Sequence, residues 1–232
     1  MMGEKDDSRI EFVQFHQNYS YEDFIMGYKP QDEGFKLTNG IFYRFCMTAA
    51  DHPEKDYYFI IDEINRGNMS KIFGELLMLI EKDYRGTKAT LAYSSTTFSV
   101  PKNLYMIGMM NTADRSLAMI DYALRRRFSF YEMEPGFHSE GFKAYQASLQ
   151  NETFNVLIEQ IVELNREINA DDSLGAGFRI GHSYFCGQKE CTEEWMKSVV
   201  YYDIIPMLQE YWFDDRQKVQ RWENLLIGVF ND

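Results

Sequence analysis

Two adjacent carboxylates follow an apolar run near the first third of the chain. Residues 57–61 are typical of a strand buried on both faces of a parallel sheet, and Asp62 and Glu63 come directly after them. Open α/β sheets bind their ligands at the carboxyl ends of the strands. There Asp62 can hold Mg²⁺, and Glu63 can orient or deprotonate an attacking water, as nucleotide hydrolysis requires. The alternative is an ordinary strand end that turns into solvent.

A polar residue also ends the next apolar run. Residues 104–110 are predicted to form a second buried strand, and Asn111 follows it. A carboxamide beside the strand of the acid pair could hold the lytic water or an oxygen of a γ-phosphate. Because asparagine is common in turns, a purely local role for Asn111 is the alternative.

The dense basic cluster of the chain is Arg125, Arg126 and Arg127, at the end of a short predicted helix. Such arginines can serve as an arginine finger, which neutralises charge that develops on a transferred phosphoryl group. In a ring the finger would come from the neighbouring subunit, so that assembly becomes part of catalysis. The alternative is that the cluster complements the helix dipole and stays solvated.

The elements that must position these residues form an α/β core followed by a small helical domain. We place the core at residues 1–136 and the helical domain at residues 137–232. A strand, a helix and a strand in succession predict a parallel sheet. The predicted elements of the core are a strand at 10–15, a helix at 69–83 with Asn68 as its N-cap, and a hairpin at 87–101. The second domain should have a helix around 154–164, another that starts at Thr192 and bends or ends near Pro206, and a last one at 217–230.

Composition excludes several classes of protein. The 232 residues are 45% hydrophobic, which indicates a globular chain, and no apolar stretch is long enough to span a membrane. The net charge of −12 means that DNA could be contacted only through a local basic patch or a pore formed on assembly. The three cysteines are expected to be reduced thiols of a cytoplasmic protein.

Three motifs together resemble the motor domain of the McrB family of modification-dependent restriction GTPases. They are residues 62–68 (Asp-Glu-Ile-Asn-Arg-Gly-Asn), 110–116 (Met-Asn-Thr-Ala-Asp-Arg-Ser) and 123–128 (Ala-Leu-Arg-Arg-Arg-Phe). Segments 13–24 and 179–185 fit the same family on either side, so the resemblance spans nearly the whole chain. The combination is far more specific than an acid pair alone.

The resemblance implies a fold: the parallel sheet core of an AAA+ P-loop NTPase, here without its P-loop strand, followed by a helical lid domain. It also implies roles for the first motif. Asp62 and Glu63 would be the Walker B pair, with Asp62 as a ligand of Mg²⁺. Asn65, two residues further on, would contact the nucleotide.

The other motifs receive roles from the resemblance in the same way. Asn111 would be sensor 1, a catalytic and nucleotide-contacting residue, in a signature that also contains a catalytic Asp114. Arg126 and Arg127 would be the candidates for the arginine finger. His182 would contact the nucleotide from the lid, near sensor 2.

The implied activity is that of one subunit of a larger machine. The family assembles as hexameric rings, hydrolyses GTP with Mg²⁺, and works with an McrC nuclease subunit to restrict DNA that carries modified cytosine. No residue here selects guanine over adenine, so an ATP-using relative of the MoxR type is the alternative for the nucleotide.

The phosphate-binding loop of the family is missing from the sequence. No segment matches Gly-x-x-x-x-Gly-Lys-Ser/Thr, and the nearest pairing, at residues 85–88, lacks the spacing and follows a helix. We expect the isolated chain to bind nucleotide weakly or not at all. We also expect the sheet, without its P-loop strand, to re-pair, to bind a partner chain or to be marginally stable.

Two further functions compete with a motor. One is a non-catalytic truncated module that only assembles with partners. The other is a metal-dependent nuclease, which residues 62–65 support least because they lack the spaced acid and lysine of such sites.

Overall fold

The computed structural model describes residues 6–32, 34–111, 113 and 125–231. The chain divides into two compact units, Met1–Tyr131 and Glu132–Asp232, each with its own hydrophobic core. The sequence placed this division five residues later, after residue 136. Among the described residues no helix is both long enough and apolar enough to cross a membrane.

A three-stranded parallel sheet forms the centre of the first unit. Its strands are β1 (Ile10–Gln14), β4 (Tyr57–Asp62) and β7 (Leu104–Gly108), with β4 in the middle. The ladder pairs Ile10 with Tyr58 on one side, and Tyr57 with Leu104 on the other. All three predicted strands are therefore confirmed, and so is their parallel arrangement.

The connection from β1 to β4 supplies most of the core that covers one face of the sheet. It contains α1 (Tyr21–Phe24), the hairpin of β2 (Met26–Gln31) and β3 (Gly34–Asn39), and α2 (Ile41–Asp51). Phe24 and Phe42 stack with ring centroids 4.8 Å apart, and Phe42 meets Phe59 of β4 edge to face at 5.1 Å. Buried aromatic rings thus fix these helices against the sheet.

The helix predicted at 69–83 is much shorter in the structure. It is α3 (Met69–Phe73), begun by an Asn68 side chain that accepts a hydrogen bond from the backbone N–H of Lys71, as predicted. The helix ends because Gly74 adopts φ +51° and ψ −129°, a conformation that glycine tolerates and other residues avoid. A 3₁₀ turn at Gly74–Leu77 and another at Lys82–Tyr84 follow. The spacing of apolar residues alone did not reveal this break.

The predicted hairpin before the last strand is confirmed. It consists of β5 (Ala89–Thr90) and β6 (Thr97–Phe98), which pair in antiparallel fashion. The outer strands of the central sheet did not re-pair: within the described residues, β1 and β7 each have β4 as their sole neighbour. The β-prone residues 128–131 form no strand there either.

The second unit is helical, as predicted. Its helices are α4 (Glu140–Leu149), α5 (Glu152–Ala170), α6 (Glu193–Val199), α7 (Ile205–Tyr211) and α8 (Arg216–Gly228). Thr192 caps α6 by accepting a hydrogen bond from the N–H of Trp195. A π-helical turn at Val200–Ile204 joins α6 to α7. Pro206 lies in the first turn of α7, directly after this π-helical turn, and helical structure continues past the proline to Tyr211. Trp212 and Trp222 are buried in the core of this unit.

Two acidic residues, Glu167 within α5 and Asp171 at its C-cap, connect this helix to α8. Asp171 accepts hydrogen bonds from Lys218 Nζ and Trp212 Nε1, both at 2.8 Å. Glu167 lies 3.5 Å from the same ammonium group and accepts from Trp222 Nε1 at 3.0 Å. The hydrogen bond from Lys218, with those from Ser173 and Trp212, holds the pKa of Asp171 well below its ordinary value.

The side chain of Asn103 fixes the entry into β7. Its Nδ2 group donates to the backbone oxygen of Ala49, in the last turn of α2, at 2.9 Å and to that of Lys55, beyond the end of α2, at 2.7 Å. We expect Asn103→Ala to lower the free energy of unfolding by about 1–3 kcal/mol, because these partly buried carbonyls lose their donor. Lys102→Ala, at an exposed neighbouring position, should change it by less than about 0.5 kcal/mol. Urea denaturation followed by circular dichroism measures both, and equal effects would contradict the assigned role.

Asp171 predicts an acid-dependent stability of the second unit. Because its pKa is lower in the folded state than in the unfolded chain, its contribution is complete above pH ~4 and is lost as the pH falls below that value. We expect Asp171→Asn to lower the stability at pH 7 by about 1–3 kcal/mol and to remove this part of the pH dependence. The exposed neighbour provides the control, since Asp172→Asn should leave both unchanged. Tryptophan fluorescence reports on this unit, because all three tryptophans lie in it.

Candidate functional site

Asp62 is the last residue of β4, so it lies at the carboxyl end of the central strand. Its backbone oxygen accepts a hydrogen bond from Phe15 N at 2.9 Å, which continues the ladder past the end of β1. Its Oδ1 atom accepts from the N–H of Glu63 at 3.0 Å, and the side chain is half-buried. The carboxylate is thus oriented by the backbone that follows it.

Glu63 starts a tight turn in a strained conformation. Its φ of 50° and ψ of 43° place a non-glycine residue in the left-handed region. Its Oε2 atom lies 3.1 Å from Nε of Arg66, yet this buried oxygen accepts no hydrogen bond. The two groups are close enough for an ion pair, but the N–H does not point at the oxygen. Strain of this kind persists where the surrounding structure enforces it, often at functional sites.

Asn65 presents a second buried oxygen in the same turn. Its Oδ1 atom accepts no hydrogen bond, as is true of Oε2 of Glu63. Buried oxygens normally have a donor, a water or a cation as partner. Oε2 of Glu63 has the guanidinium of Arg66 as its ion-pair partner, but Oδ1 of Asn65 has no donor among the described residues. A buried acceptor of this kind beside Asp62 fits a site whose donors come with a ligand.

The turn is held against the end of β7. Ile64 N donates to the oxygen of Met109 at 3.0 Å, and Met109 N donates to the oxygen of Ile61 at 2.8 Å. A Cβ atom at Gly108 would lie 2.7 Å from Cδ1 of Ile64, so the glycine lets the side chain of Ile64 pack directly on β7. Asn111, two residues beyond Met109, is therefore brought to the same edge of the sheet as Glu63.

The carboxamide of Asn111 is exposed and only partly engaged. Its Oδ1 atom accepts a hydrogen bond from Ala113 N at 3.0 Å, which makes it a local turn residue as well. The amide NH₂ is the group that can donate to an external oxygen. Asp114, in the same motif, lies outside the described residues.

The structure separates the arginines that the sequence grouped. Arg127 is largely buried: its Nε donates to the oxygen of Leu77 at 2.8 Å, and Nη2 pairs with Oε1 of Glu81 at 2.9 Å. Arg125 and Arg126 are exposed. The guanidinium of Arg127 therefore holds residues 74–81 in place, and of the two predicted finger candidates, Arg126 and Arg127, only Arg126 is exposed.

His182 belongs to the second unit, and its described contacts are internal. Nδ1 accepts a hydrogen bond from the backbone N–H of Gly136 at 2.9 Å. The ring meets Phe137 and Phe142 edge to face, at 6.2 and 5.9 Å between centroids. A Cβ atom at Gly136 would lie 3.0 Å from the imidazole. These contacts give His182 a packing role, and its predicted contact with nucleotide stays a prediction.

A magnesium ion at this edge of the sheet would need a bound phosphate among its ligands, in addition to protein side chains. Among the described residues no group of three or more histidines, cysteines and acids could hold a metal ion. Mg²⁺ is commonly held by one or two carboxylates together with substrate phosphates and water. A single oriented carboxylate, Asp62, beside the buried Oδ1 atom of Asn65, which accepts no hydrogen bond, fits that requirement.

Sequence reasoning did not identify Arg66 as part of the site. The signal was present, because Glu63 and Arg66 are three residues apart and a single turn brings such a pair together. The role of Arg127 had no comparable signal, since its partners Leu77 and Glu81 are distant in sequence.

Comparison with known proteins supports both units. Residues 4–128 match the family described as the AAA domain of the dynein-related subfamily, and residues 156–220 match the α-helical lid domain of McrB. The EcoKMcrB subunit of a type IV methyl-directed restriction enzyme from Escherichia coli K12 is 52% identical over 98% of this chain and 52% of its own length. The component YdiS of the type II restriction enzyme BsuMI from Bacillus subtilis 168 is 24% identical over 63% of this chain and 54% of its own length.

A crystal structure of a protein from Cytophaga hutchinsonii aligns over 94% of this chain and 69% of that one, at 10% identity. Its TM-score of 0.35 is too low to bear on the fold. The chain spans about half the length of the curated relatives it matches. With a parallel sheet that carries the acid pair and a helical lid, the chain belongs to the AAA proteins and, among them, to the McrB family.

Proposed function

We propose that this chain is the nucleotide-hydrolysing motor part of an McrB-type subunit in a DNA restriction system. The observation that carries the proposal is the edge of the sheet at the end of β4. There an oriented Asp62, a strained Glu63 with a buried oxygen that accepts no hydrogen bond, and Asn111 come together. The name of the E. coli relative, a subunit of a methyl-directed restriction enzyme, supplies the biological setting.

In the proposed reaction each residue has a task set by its geometry. Mg²⁺, when bound through Asp62, would neutralise charge on the phosphate oxygens. Glu63 accepts the proton of the attacking water, and its pairing with Arg66 keeps the carboxylate directed into the turn. The amide of Asn111 donates a hydrogen bond to the water or to an oxygen of the γ-phosphate.

The remaining predicted residues complete the proposal. Asn65 offers its buried Oδ1 atom to the nucleotide or its bound water. Arg126, exposed, serves as the arginine finger of the neighbouring subunit, and Asp114 and His182 keep their predicted roles. GTP is the proposed nucleotide, with ATP as the alternative. The proposed partners are a hexameric ring of like subunits, an McrC-like nuclease and DNA, in the cytoplasm.

The proposed hydrolysis requires a phosphate-binding loop. Because the 232 residues contain no Gly-x-x-x-x-Gly-Lys-Ser/Thr segment, the β- and γ-phosphates have no backbone cradle in this polypeptide. The second candidate function, for the 232-residue chain by itself, is that of a binding module that only assembles with partners. The missing phosphate-binding segment favours this candidate.

A chimera tests the hydrolytic role of the acid pair. In the E. coli relative, the stretch that aligns with this chain would be replaced by residues 1–232, which is feasible at 52% identity. We expect Mg²⁺-dependent hydrolysis of GTP, and Glu63→Gln should lower kcat about 10²–10⁴-fold while nucleotide still binds, because the general base is lost. Rates with GTP and ATP decide between the two nucleotides.

The control for this test is Glu54→Gln, an exposed residue remote from the site, which should keep the parental rate. Binding of GTP to the 232-residue chain alone, measured by calorimetry, should be weak or absent. A chimera that hydrolyses neither nucleotide would contradict the proposed function, and full activity of Glu63→Gln would contradict the assigned base.

The three arginines can be told apart in the same chimera. We expect Arg126→Ala to lower hydrolysis and to change thermal unfolding less than Arg127→Ala does, because the side chain of Arg126 is exposed. Arg127→Ala should lower the free energy of unfolding by about 1–3 kcal/mol, because Glu81 and the Leu77 carbonyl lose their partner. Arg125→Ala serves as the control and should change neither.

Mixing experiments establish whether Arg126 acts between subunits. A mixture of Arg126→Ala and Glu63→Gln chimeras should recover part of the activity, because some interfaces then combine an intact base with an intact finger. If the mixture stays as inactive as its components while rings still form, Arg126 does not act in trans.

A further inference from the structure

The segment that follows the turn of the acid pair has the sequence pattern of one helix but is broken in the structure. Apolar residues at helical spacing run through residues 69–83, which we call the split segment. The break is at Gly74, whose φ of +51° and ψ of −129° are far from the helical values of about −63° and −42°. Beyond it the backbone forms tighter turns, in which Leu79 N donates to the oxygen of Leu76 at 2.9 Å.

The burial of apolar side chains does not decide between a broken and a continuous form of this segment. A set of its apolar side chains is at most 4% exposed. They are Met69, Ile72, Phe73, Leu76, Leu79 and Ile80. Because their spacing is that of one face of a helix, a continuous helix would turn the same set toward the core. Polar contacts and Gly74 therefore determine which form prevails.

The first polar contact that holds the broken form is made by Glu75, directly after the break. Its Oε1 atom accepts hydrogen bonds from the hydroxyl of Tyr21 at 2.7 Å and from the N–H of Ala92 at 2.9 Å. Tyr21 belongs to α1, and Ala92 to the loop of the β5–β6 hairpin. A Cβ atom at Gly74 would lie 3.1 Å from two atoms of the Tyr21 ring, so the glycine lets the ring pack on the break. One carboxylate thus connects the split segment to two other parts of the first unit.

The second polar contact is made by Arg127. Its Nε donates to the oxygen of Leu77 at 2.8 Å, and its Nη2 pairs with Glu81 at 2.9 Å. In a continuous helix the oxygen of Leu77 would accept from the N–H of Glu81, four residues further on. In the structure that N–H donates to the oxygen of Met78 at 3.2 Å instead. Arg127 therefore uses an acceptor that the helix would need, and it favours the broken form.

The start of the split segment is joined to the candidate site. Asn68 caps α3 two residues after Arg66, which is the ion-pair partner of Glu63. A Cβ atom at Gly67 would lie 2.6 Å from Cδ1 of Ile72, so the turn packs closely on the first residues of the helix. A shift of the turn therefore displaces the start of α3.

We propose that the split segment is a conformational switch with two forms, the broken form and a continuous helix over residues 69–83. In the helix Gly74 takes helical dihedral angles, so the carboxylate of Glu75 leaves its two donors and Arg127 loses its backbone acceptor. The exchange connects the turn of the acid pair with the β5–β6 hairpin and with the arginine cluster. It goes beyond the hydrolytic function and can be tested without nucleotide. The helix is the minor form, because both contacts and the low helix propensity of glycine oppose it, and such minor states are populated at about 0.1–10%.

Relaxation-dispersion NMR on the 232-residue chain tests the proposal, since such exchange falls on the μs–ms scale. Amide signals of residues 74–83 and of Ala92 should show exchange, and the Cα shifts of the minor form should be those of a helix. Gly74→Ala should make the helix the major form, because alanine avoids the broken conformation and favours helix. The Cα shifts of this variant should then match those of the minor form in the parent chain.

Variants of the two contacts give the matched comparison. Glu75→Ala and Arg127→Ala should each raise the population of the minor form by about two- to tenfold, as the loss of a hydrogen bond implies. Glu75→Gln keeps an acceptor oxygen, and Lys82→Ala changes an exposed side chain of the same segment, so neither should have this effect. A parent chain without exchange at residues 74–83, or with a minor form that is not helical, overturns the proposal, whether or not Gly74→Ala folds. A minor population that both alanine variants at the contacts leave unchanged also overturns it.

Discussion

The hydrogen-bonded ladder that joins β4 to a parallel neighbour on each side is the constraint on which the first unit depends. Parallel pairing places the carboxyl ends of all three strands at one edge. The polar residues that follow these strands are therefore brought to one edge by backbone pairing, and no contact between their side chains is needed for this. Asp62 and Asn111 belong to the same edge because β4 and β7 are in register, with Ile61 opposite Gly108.

The turn after β4 completes the candidate site, because it places Glu63 and Asn65 beside Asp62. Glu63 occupies a backbone conformation that costs of order 1–3 kcal/mol for a non-glycine residue. The hydrogen bond from Ile64 to Met109 and the close contact over Gly108 hold the turn in place, so the surrounding packing offsets that cost. The backbone of the turn fixes where the side chain of Glu63 begins, and the ion pair with Arg66 directs its carboxylate.

Local patterns in the sequence were sufficient to predict the strands, the parallel sheet, the N-caps of α3 and α6, and the position of the acid pair at the end of a strand. Those features depend on runs of apolar residues and on the residue types at their ends. The break at Gly74 was missed because it depends on one backbone conformation within an otherwise regular pattern. Contacts between residues far apart in sequence were also missed. Arg127 looked equivalent to Arg126 until its partners at Leu77 and Glu81 were located.

The edge with the polar residues and the cover on the sheet both follow from one topology. Parallel strands gather their polar ends at a single edge, and right-handed connections that progress in one direction lie on a single face. The described connections therefore bury Phe59 and Ile61, while Phe12 and Ile107 on the other face are about half exposed. Asp62 follows Ile60 two residues further along β4, so its side chain lies on that same exposed face. A polypeptide that covered this face would therefore lie next to the proposed magnesium ligand, because Asp62 belongs both to the face and to the edge.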